Sequence, residues 1–316
     1  MLNINLGERC RKTGGAKTLK CDEKLVRLEE TYGDWVKQEK ENCRLSSGAM
    51  TKELYPYRAL FSPIQVNRTM IKNRVVMGPM GNLNMCEESG RPNDKMLQYF
   101  FARAKGGTGL LTTGLIPVSH GIDPTVTEVD DLSLFPRIDH ARTVFAGWRD
   151  LAQGVHAYGS KIFIQITPGL GRVGPPTCVM TKHQIPVSAS VNPSFYIPQL
   201  PCIPLTDANL KKIVKNCGQA ADAKEMGLDG IYLHGHEGYL LEQMTNPAFN
   251  RRKMGRYKDY EMFGLDIIRE IRKRAGDSFP IMYRIDLSLA LNETYQDRMN
   301  EVSSLKRFKN GRTIKD

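Results

Sequence analysis

The sequence predicts an α/β protein with a parallel sheet. Three observations carry that reading. From about Ile71 onward, short apolar runs alternate with amphipathic helical stretches. The apolar runs are dense enough to be buried on both faces, as parallel strands are. Polar residues gather where those runs end, which is where barrel and open-sheet α/β enzymes keep their chemistry.

Each element has its own signal. "RVVMGPM" is a short apolar run ended by Gly-Pro. A helix is expected from about Asn93 to Ala104, closed by Gly106-Gly107. "GLLTTGL" is the next strand. Ala141, Val144, Phe145, Trp148, Leu151, Ala152 and Val155 keep helical spacing, and Gly159 ends that helix. "KIFIQIT" follows as a strand. Thr206 caps a helix carrying Leu210, Ile213, Val214 and Cys217 on one face, with a stop at Gly227. "GIYLHGH" is a strand, Phe263 to Arg274 a helix, and "PIMYRIDL" a strand. That makes about five strands, and no later signal closes the sheet. On pattern alone, a barrel and an open doubly wound sheet both remain. Residues 1–50 read as an appendage and linker, with a charged helical stretch from Asp22 to Glu41 and "RLSSGAM" as the connection.

The segment "IQITPGLGRVGPP" holds Gly169-x-Gly171-x-x-Gly174 after a strand, the spacing of a dinucleotide fingerprint. Its context contradicts that use. Pro175 and Pro176 follow at once, and no Asp or Glu occurs from Leu151 to Thr206 to bind a ribose. The segment reads as a flexible loop with only positive charge, able to face an anion but more simply a solvated connector.

Composition narrows the class. The 316 residues carry 41% hydrophobic side chains, enough for a sizeable core, and a formal net charge of +11. The basic residues are scattered, without the aromatic interleaving of a single-strand nucleic-acid binder, so no nucleic-acid partner is expected. Seven cysteines stand apart with no Cys-x-x-Cys pair, which suits a reducing cytoplasm and shows no zinc or iron–sulfur framework. No signal peptide or membrane-length apolar run is visible.

Several residues have the chemistry for a site. Gln165 ends an apolar strand and both donates and accepts, so it suits a ring edge with N–H and C=O, or else a backbone partner. Arg284 lies inside a strand and needs an anion, which Asp286 or a ligand would supply. "LHGHEGYLLEQM" brings His234, His236, Glu237 and Tyr239 together at a strand-to-helix transition. Acid–base work by His and Tyr is the preferred reading over zinc or iron binding, and no metal is expected.

At these residues the chain from about Tyr55 resembles the old yellow enzyme group of NADH:flavin oxidoreductases. It is most similar to the branch of 2-enoate and 2,4-dienoyl-CoA reductases. The motifs are "LFSPI…IKNRVVMGPM", "ARAKGGTGLLTTG", "GSKIFIQITPGLGR", "GLDGIYLHGHEGYLLEQMTNPAFNRR" and "PIMYRID", in family order. The resemblance implies a (β/α)8 TIM barrel with FMN at its C-terminal mouth. It places the backbone of Pro79, Met80 and Gly81 beside the flavin ring, with Gly114 lining the site. Gln165 would meet the pyrimidine edge and Arg284 the N1–C2 edge. Tyr239 matches the proton donor, and His234 the first member of a substrate-gripping pair. Glu237 stands where that pair's second member would be, so His234 alone or with His236 would polarise the substrate. Ping-pong chemistry is implied, with NAD(P)H reducing FMN and a conjugated alkene accepting the hydride. A family relative that oxidises amines or N-methyl groups, and a non-catalytic fragment without cofactor, are the alternatives. The expected domain over 51–316 is the N-terminal portion of the barrel only. The remaining strands, and any [4Fe–4S] and FAD parts, would lie in a longer relative. A homo-oligomer is left open.

Overall fold

The computed structural model describes residues 58–285 except 83, 127–134, 140 and 176, together with 30, 33 and 34. The chain divides into two compact units, 1–62 and 63–316. In the first, Glu30, Gly33 and Asp34 are helical, as is Arg58–Phe61. The rest of the expected Asp22–Glu41 stretch lies outside the described residues, as does Asp286.

In the second unit, a hairpin of β1 (Ile64–Val66) and β2 (Thr69–Ile71) precedes the main sheet. Then follow β3 (Val76–Met77), helix α1 (Asp94–Lys105), β4 (Leu110–Pro117), α2 (Arg142–His156), β5 (Lys161–Thr167) and α3 (Thr177–Lys182). After these come the short strands β6 (Val187–Ser188) and β7 (Ile203–Pro204), helices α4 (Asp207–Cys217) and α5 (Asp222–Glu225), and β8 (Gly230–Gly235). The chain continues through α6 (Leu240–Thr245), α7 (Met262–Ala275) and β9 (Ile281–Ile285). The main sheet has the order β3-β4-β5-β8-β9, and every pairing in it is parallel.

A two-residue period sorts the sheet into two faces. Leu111 and Ile116 of β4, Ile162, Ile164 and Ile166 of β5, and Ile231 and Leu233 of β8 all join the main core. Helices supply its other half, with Met96 and Phe100 from α1, Trp148 and Leu151 from α2, Leu210 and Ile213 from α4, and Ile267 and Ile271 from α7. The opposite face carries Leu110, Phe163 and Met282 at the strand starts, where they pack with Ile71 of the hairpin. The hairpin thus forms an apolar floor. Above the floor the same face turns polar.

The helix boundaries follow their caps. Asn93 accepts from the Met96 N–H, and Thr206 accepts from the Asn209 N–H. The helix expected from Thr206 to Gly227 is not continuous. It runs to Cys217, passes through a 3-10 turn at Gly218–Ala221 and resumes as α5. "RVVMGPM" gives a strand of only two residues. The β1–β2 hairpin and the β6–β7 pair carry no strong period, and sequence reading passes over them. Asp229 secures the β5–β8 edge by accepting from the Ile162 N–H at 2.9 Å and meeting Lys161 at 3.0 Å and His156 at 2.6 Å.

One close approach makes a test of the floor. A Cβ on Gly230 would stand 2.7 Å from the Phe163 ring. Gly230→Ala should therefore destabilise by about 1–3 kcal/mol through overpacking. Adding Phe163→Leu should recover part of that, giving a coupling of about 0.5 kcal/mol or more in a urea double-mutant cycle. Strict additivity would show that the ring and Gly230 do not share this space.

Candidate active site at the C-terminal mouth of the sheet

The site starts from an irregularity in β4. Thr112 pairs with Phe163, but Leu115 pairs with Gln165, so β4 carries one extra residue at Thr113-Gly114. The Thr113 hydroxyl fills the gap in the ladder by accepting from the Gln165 N–H at 2.9 Å. The Gly114 N–H donates to the side-chain oxygen of buried Asn82. A Cβ at Gly114 would lie 2.0 Å from the Met80 carbonyl oxygen, so only glycine lets the Pro79–Gly81 segment rest there. Met80 itself is exposed. Asn82 and Thr113 position two predicted site elements, and neither has a sequence signal beyond being polar next to a strand.

After the bulge, Gln165 faces the polar side. Its residue is 2% exposed, and its Nε2 has no hydrogen-bond partner among the described residues. A buried amide donor without a partner is costly. It fits a ligand edge that accepts there. Gln165 pairs with Tyr232, two residues before His234, and His234 pairs with Arg284. Gln165, His234 and Arg284 therefore share one face of three adjacent strands. The expected Arg284–Asp286 pair lies outside the described residues.

The turn after β8 gathers the remaining candidates. The ring centroids of His234 and Tyr239 are 4.9 Å apart in an edge-on contact, and His234 and His236 are stacked at 6.2 Å. The Glu237 carboxylate lies 3.6 Å from His234 Nε2 and 3.5 Å from His236 Nε2. Glu237 and Gly238 both have left-handed backbones, at φ 63° and 74°. Tyr239 is the N-cap of α6. Burial, with the Glu237 carboxylate and the Tyr196 phenol adding to it, pushes the Tyr239 phenol up to about 12. Among the described residues no group of three or more His, Cys, Asp or Glu side chains is arranged to hold a metal ion.

The Gly-rich loop after β5 corrects one expectation. It is not a solvated connector, because residues 167 to 172 are buried. Its N–H groups do hold an anion, but an internal one. The carboxylate of buried Asp123 accepts from Leu170 N–H at 2.9 Å and Gly171 N–H at 2.8 Å. It also accepts from the Thr125 N–H and hydroxyl. Burial raises the Asp123 pKa and these donors oppose the rise. Gly169 and Gly171 adopt positive φ to make this nest. Asp123 precedes the loop by 46 residues or more in the chain, which hides it from a local motif search.

A curved set of parallel strands with polar side chains at the C-terminal mouth is the arrangement of a TIM-barrel enzyme. Residues 59–310 match the model of the NADH:flavin oxidoreductase / NADH oxidase family, and the chain belongs to that family. It is similar to the cinnamate reductase of Clostridium sporogenes, 36% identical over 236 residues, covering 73% of this chain and 34% of that protein. The NADH oxidase of Thermoanaerobacter brockii is 35% identical, covering 71% of this chain and 33% of its own. The old yellow enzyme from Trypanosoma cruzi shares the fold with a TM-score of 0.60 at 21% identity, over 79% of this chain and 74% of that one. The sheet is therefore the N-terminal portion of a TIM barrel, and the open doubly wound alternative falls away. The chain spans about a third of the length of these two curated relatives.

The elevated Tyr239 phenol is directly testable. In a chain labelled with 13Cζ-tyrosine, the resonance lost in Tyr239→Phe should titrate with a midpoint near 12, against about 10 for a free phenol. Glu237→Gln removes a negative charge that disfavours phenolate, so the midpoint should fall. An unchanged midpoint in Glu237→Gln would remove Glu237 as a cause.

Proposed function

We propose that this chain contributes the flavin- and substrate-facing mouth of an enzyme that reduces the C=C bond of an α,β-unsaturated carbonyl or carboxylate compound with NAD(P)H and FMN, and that the 316 residues alone have little or no activity. One observation carries the reading: the buried Gln165 Nε2, which has no hydrogen-bond partner among the described residues, lies on the same sheet face as His234, which meets Tyr239 edge-on. The name of the Clostridium sporogenes relative supports the substrate class.

The residues present fit a flavin. Gln165 offers a donor and an acceptor to the pyrimidine edge. The backbone of Pro79, Met80 and Gly81, seated against Gly114, would lie beside the ring. Arg284, next to His234 in register, would bring a fixed positive charge to the N1–C2 edge and stabilise negative charge there. When bound, FMN supplies the hydride that NAD(P)H has delivered to it.

The chain's own residues do the rest. His234, with His236 beside it, donates to the substrate carbonyl oxygen and draws electron density from the alkene. Glu237 lies within reach of both imidazoles and orients them. Tyr239, whose phenol is pushed up from its ordinary value by burial, is protonated in the neutral range and available as a donor. It transfers that proton from Oη to the α-carbon as the β-carbon receives hydride. An amine-oxidising relative has no need of a phenolic acid at this position.

Two variants test the assignment in the full-length protein. Tyr239→Phe keeps the ring and removes the proton. Reduction of the flavin by NADH should be unaffected, while its reoxidation by an enoate should slow by about 10²–10⁴-fold in stopped-flow. Equal rates in both half-reactions would make Tyr239 a packing residue. Arg284→Leu should shift the flavin midpoint potential to more negative values, because the anionic reduced form loses a nearby cation. An unmoved potential would detach Arg284 from the flavin.

A further inference from the structure

The turn that carries Tyr239 is held by a side chain outside the chemistry described above. Gln243 is fully buried on α6, four residues after Tyr239. Its Nε2 donates to the Gly238 carbonyl at 2.6 Å and to the Leu170 carbonyl at 3.3 Å. Its Oε1 accepts from the Ser188 hydroxyl at 2.8 Å. Its backbone N–H donates to the Tyr239 carbonyl at 2.9 Å. One residue therefore grips the peptide carbonyls on both sides of Tyr239.

Around it, the turn is fastened further. Glu242 accepts from the Gly238 N–H at 2.6 Å, and the Leu240 N–H donates to the Gly169 carbonyl at 3.1 Å. Gly171 is glycine where a Cβ would meet the Gln243 amide at 2.6 Å. The Asp123 nest that shapes the Gly-rich loop is thus joined through Leu170 to the amide that shapes the Tyr239 turn. The restraint matters because Glu237, a non-glycine residue, sits in a left-handed conformation that an unrestrained turn would leave.

We infer that Gln243 is the positioning residue for Tyr239, fixing the phenol's direction by holding the Gly238–Tyr239 backbone against the loop after β5. This rests on the proposed role of Tyr239 as the proton donor. Gln243 itself touches no substrate.

Gln243→Glu is the informative variant, because it is isosteric and loses its donors conditionally. As a neutral acid it still donates to the Gly238 carbonyl while accepting from Ser188. As a carboxylate it presents only acceptors to the two carbonyls of Gly238 and Leu170. Among the described residues, the charged and titratable groups near it are Glu242 on its own helix, Asp123 behind Leu170 and Gly171, Arg172, which interacts with Glu242, and the Tyr239 phenol beyond Gly238. Glu242 and Asp123 disfavour ionisation and Arg172 favours it.

Three measurements on the full-length protein decide the matter. At about pH 6, the enoate half-reaction of Gln243→Glu should run within about threefold of the parent; at about pH 9 it should be about 10–100-fold slower, the loss expected from a misplaced reacting group. Flavin reduction by NADH should follow the parent at both pH values. Amide hydrogen exchange over residues 238–243 should be faster than in the parent at about pH 9 and equal to it at about pH 6. Parental enoate rates and parental exchange at high pH would overturn the inference, as would equal slowing of both half-reactions. The exchange arm reads the turn itself. If Tyr239→Phe proves silent, the functional reading fails while exchange still decides whether Gln243 holds the turn. Ser188→Ala, which frees the Gln243 amide without altering its donors, should slow the enoate half-reaction a few-fold and leave flavin reduction alone. A Ser188→Ala protein with both half-reactions unchanged would also count against the inference.

Discussion

The site depends on the alternation of side chains along parallel strands. In "KIFIQIT", Ile162, Ile164 and Ile166 go to the helix-covered core, while Phe163, Gln165 and Thr167 go to the other face. Neighbouring strands in register repeat the division, so Phe163 stands over Gly230, and Gln165 stands beside Tyr232. One face stabilises the protein by burying branched apolar groups. The other is free to carry an apolar floor and a polar layer above it. A slip of one residue in any strand would exchange the two.

Two local departures from regularity aim that polar layer. The extra residue at Thr113-Gly114 lets β4 stay paired while the segment after β3 lies across it. The left-handed pair Glu237-Gly238 turns the chain sharply enough to bring Tyr239 edge-on to His234. Each departure is held by buried polar side chains, Asn82 and Thr113 at the first, Glu242 and Gln243 at the second. Regular structure builds the scaffold, and these satisfied polar groups set the angles at which chemistry can occur.

The Gly-rich loop shows how a motif can be physically genuine without its usual ligand. Glycines at positive φ do point successive N–H groups at one point, as phosphate-binding loops do. Here the point is filled by Asp123, a carboxylate of the chain itself. The anion fixes the loop, and the loop in turn meets the start of α6 through the Gly169 and Leu170 carbonyls.

Local pattern was enough to determine the strand–helix alternation, the cap at Thr206, and the gathering of His234, His236 and Tyr239, because each depends on residues a few positions apart. The same holds for the motif order that marks the family. What only the tertiary structure decided depends on residues far apart in the chain. Asp123 meets Gly171, Ser188 meets Gln243, and Asn82 meets Gly114, across separations of about 30 to 55 residues. No period or spacing encodes such pairs, because a buried polar group finds its partner through the packing of whole elements. The same packing leaves the Gln165 Nε2 without a partner among the described residues. A strand sequence fixes the face on which an amide lies, but only its neighbours determine what is left for it to bond.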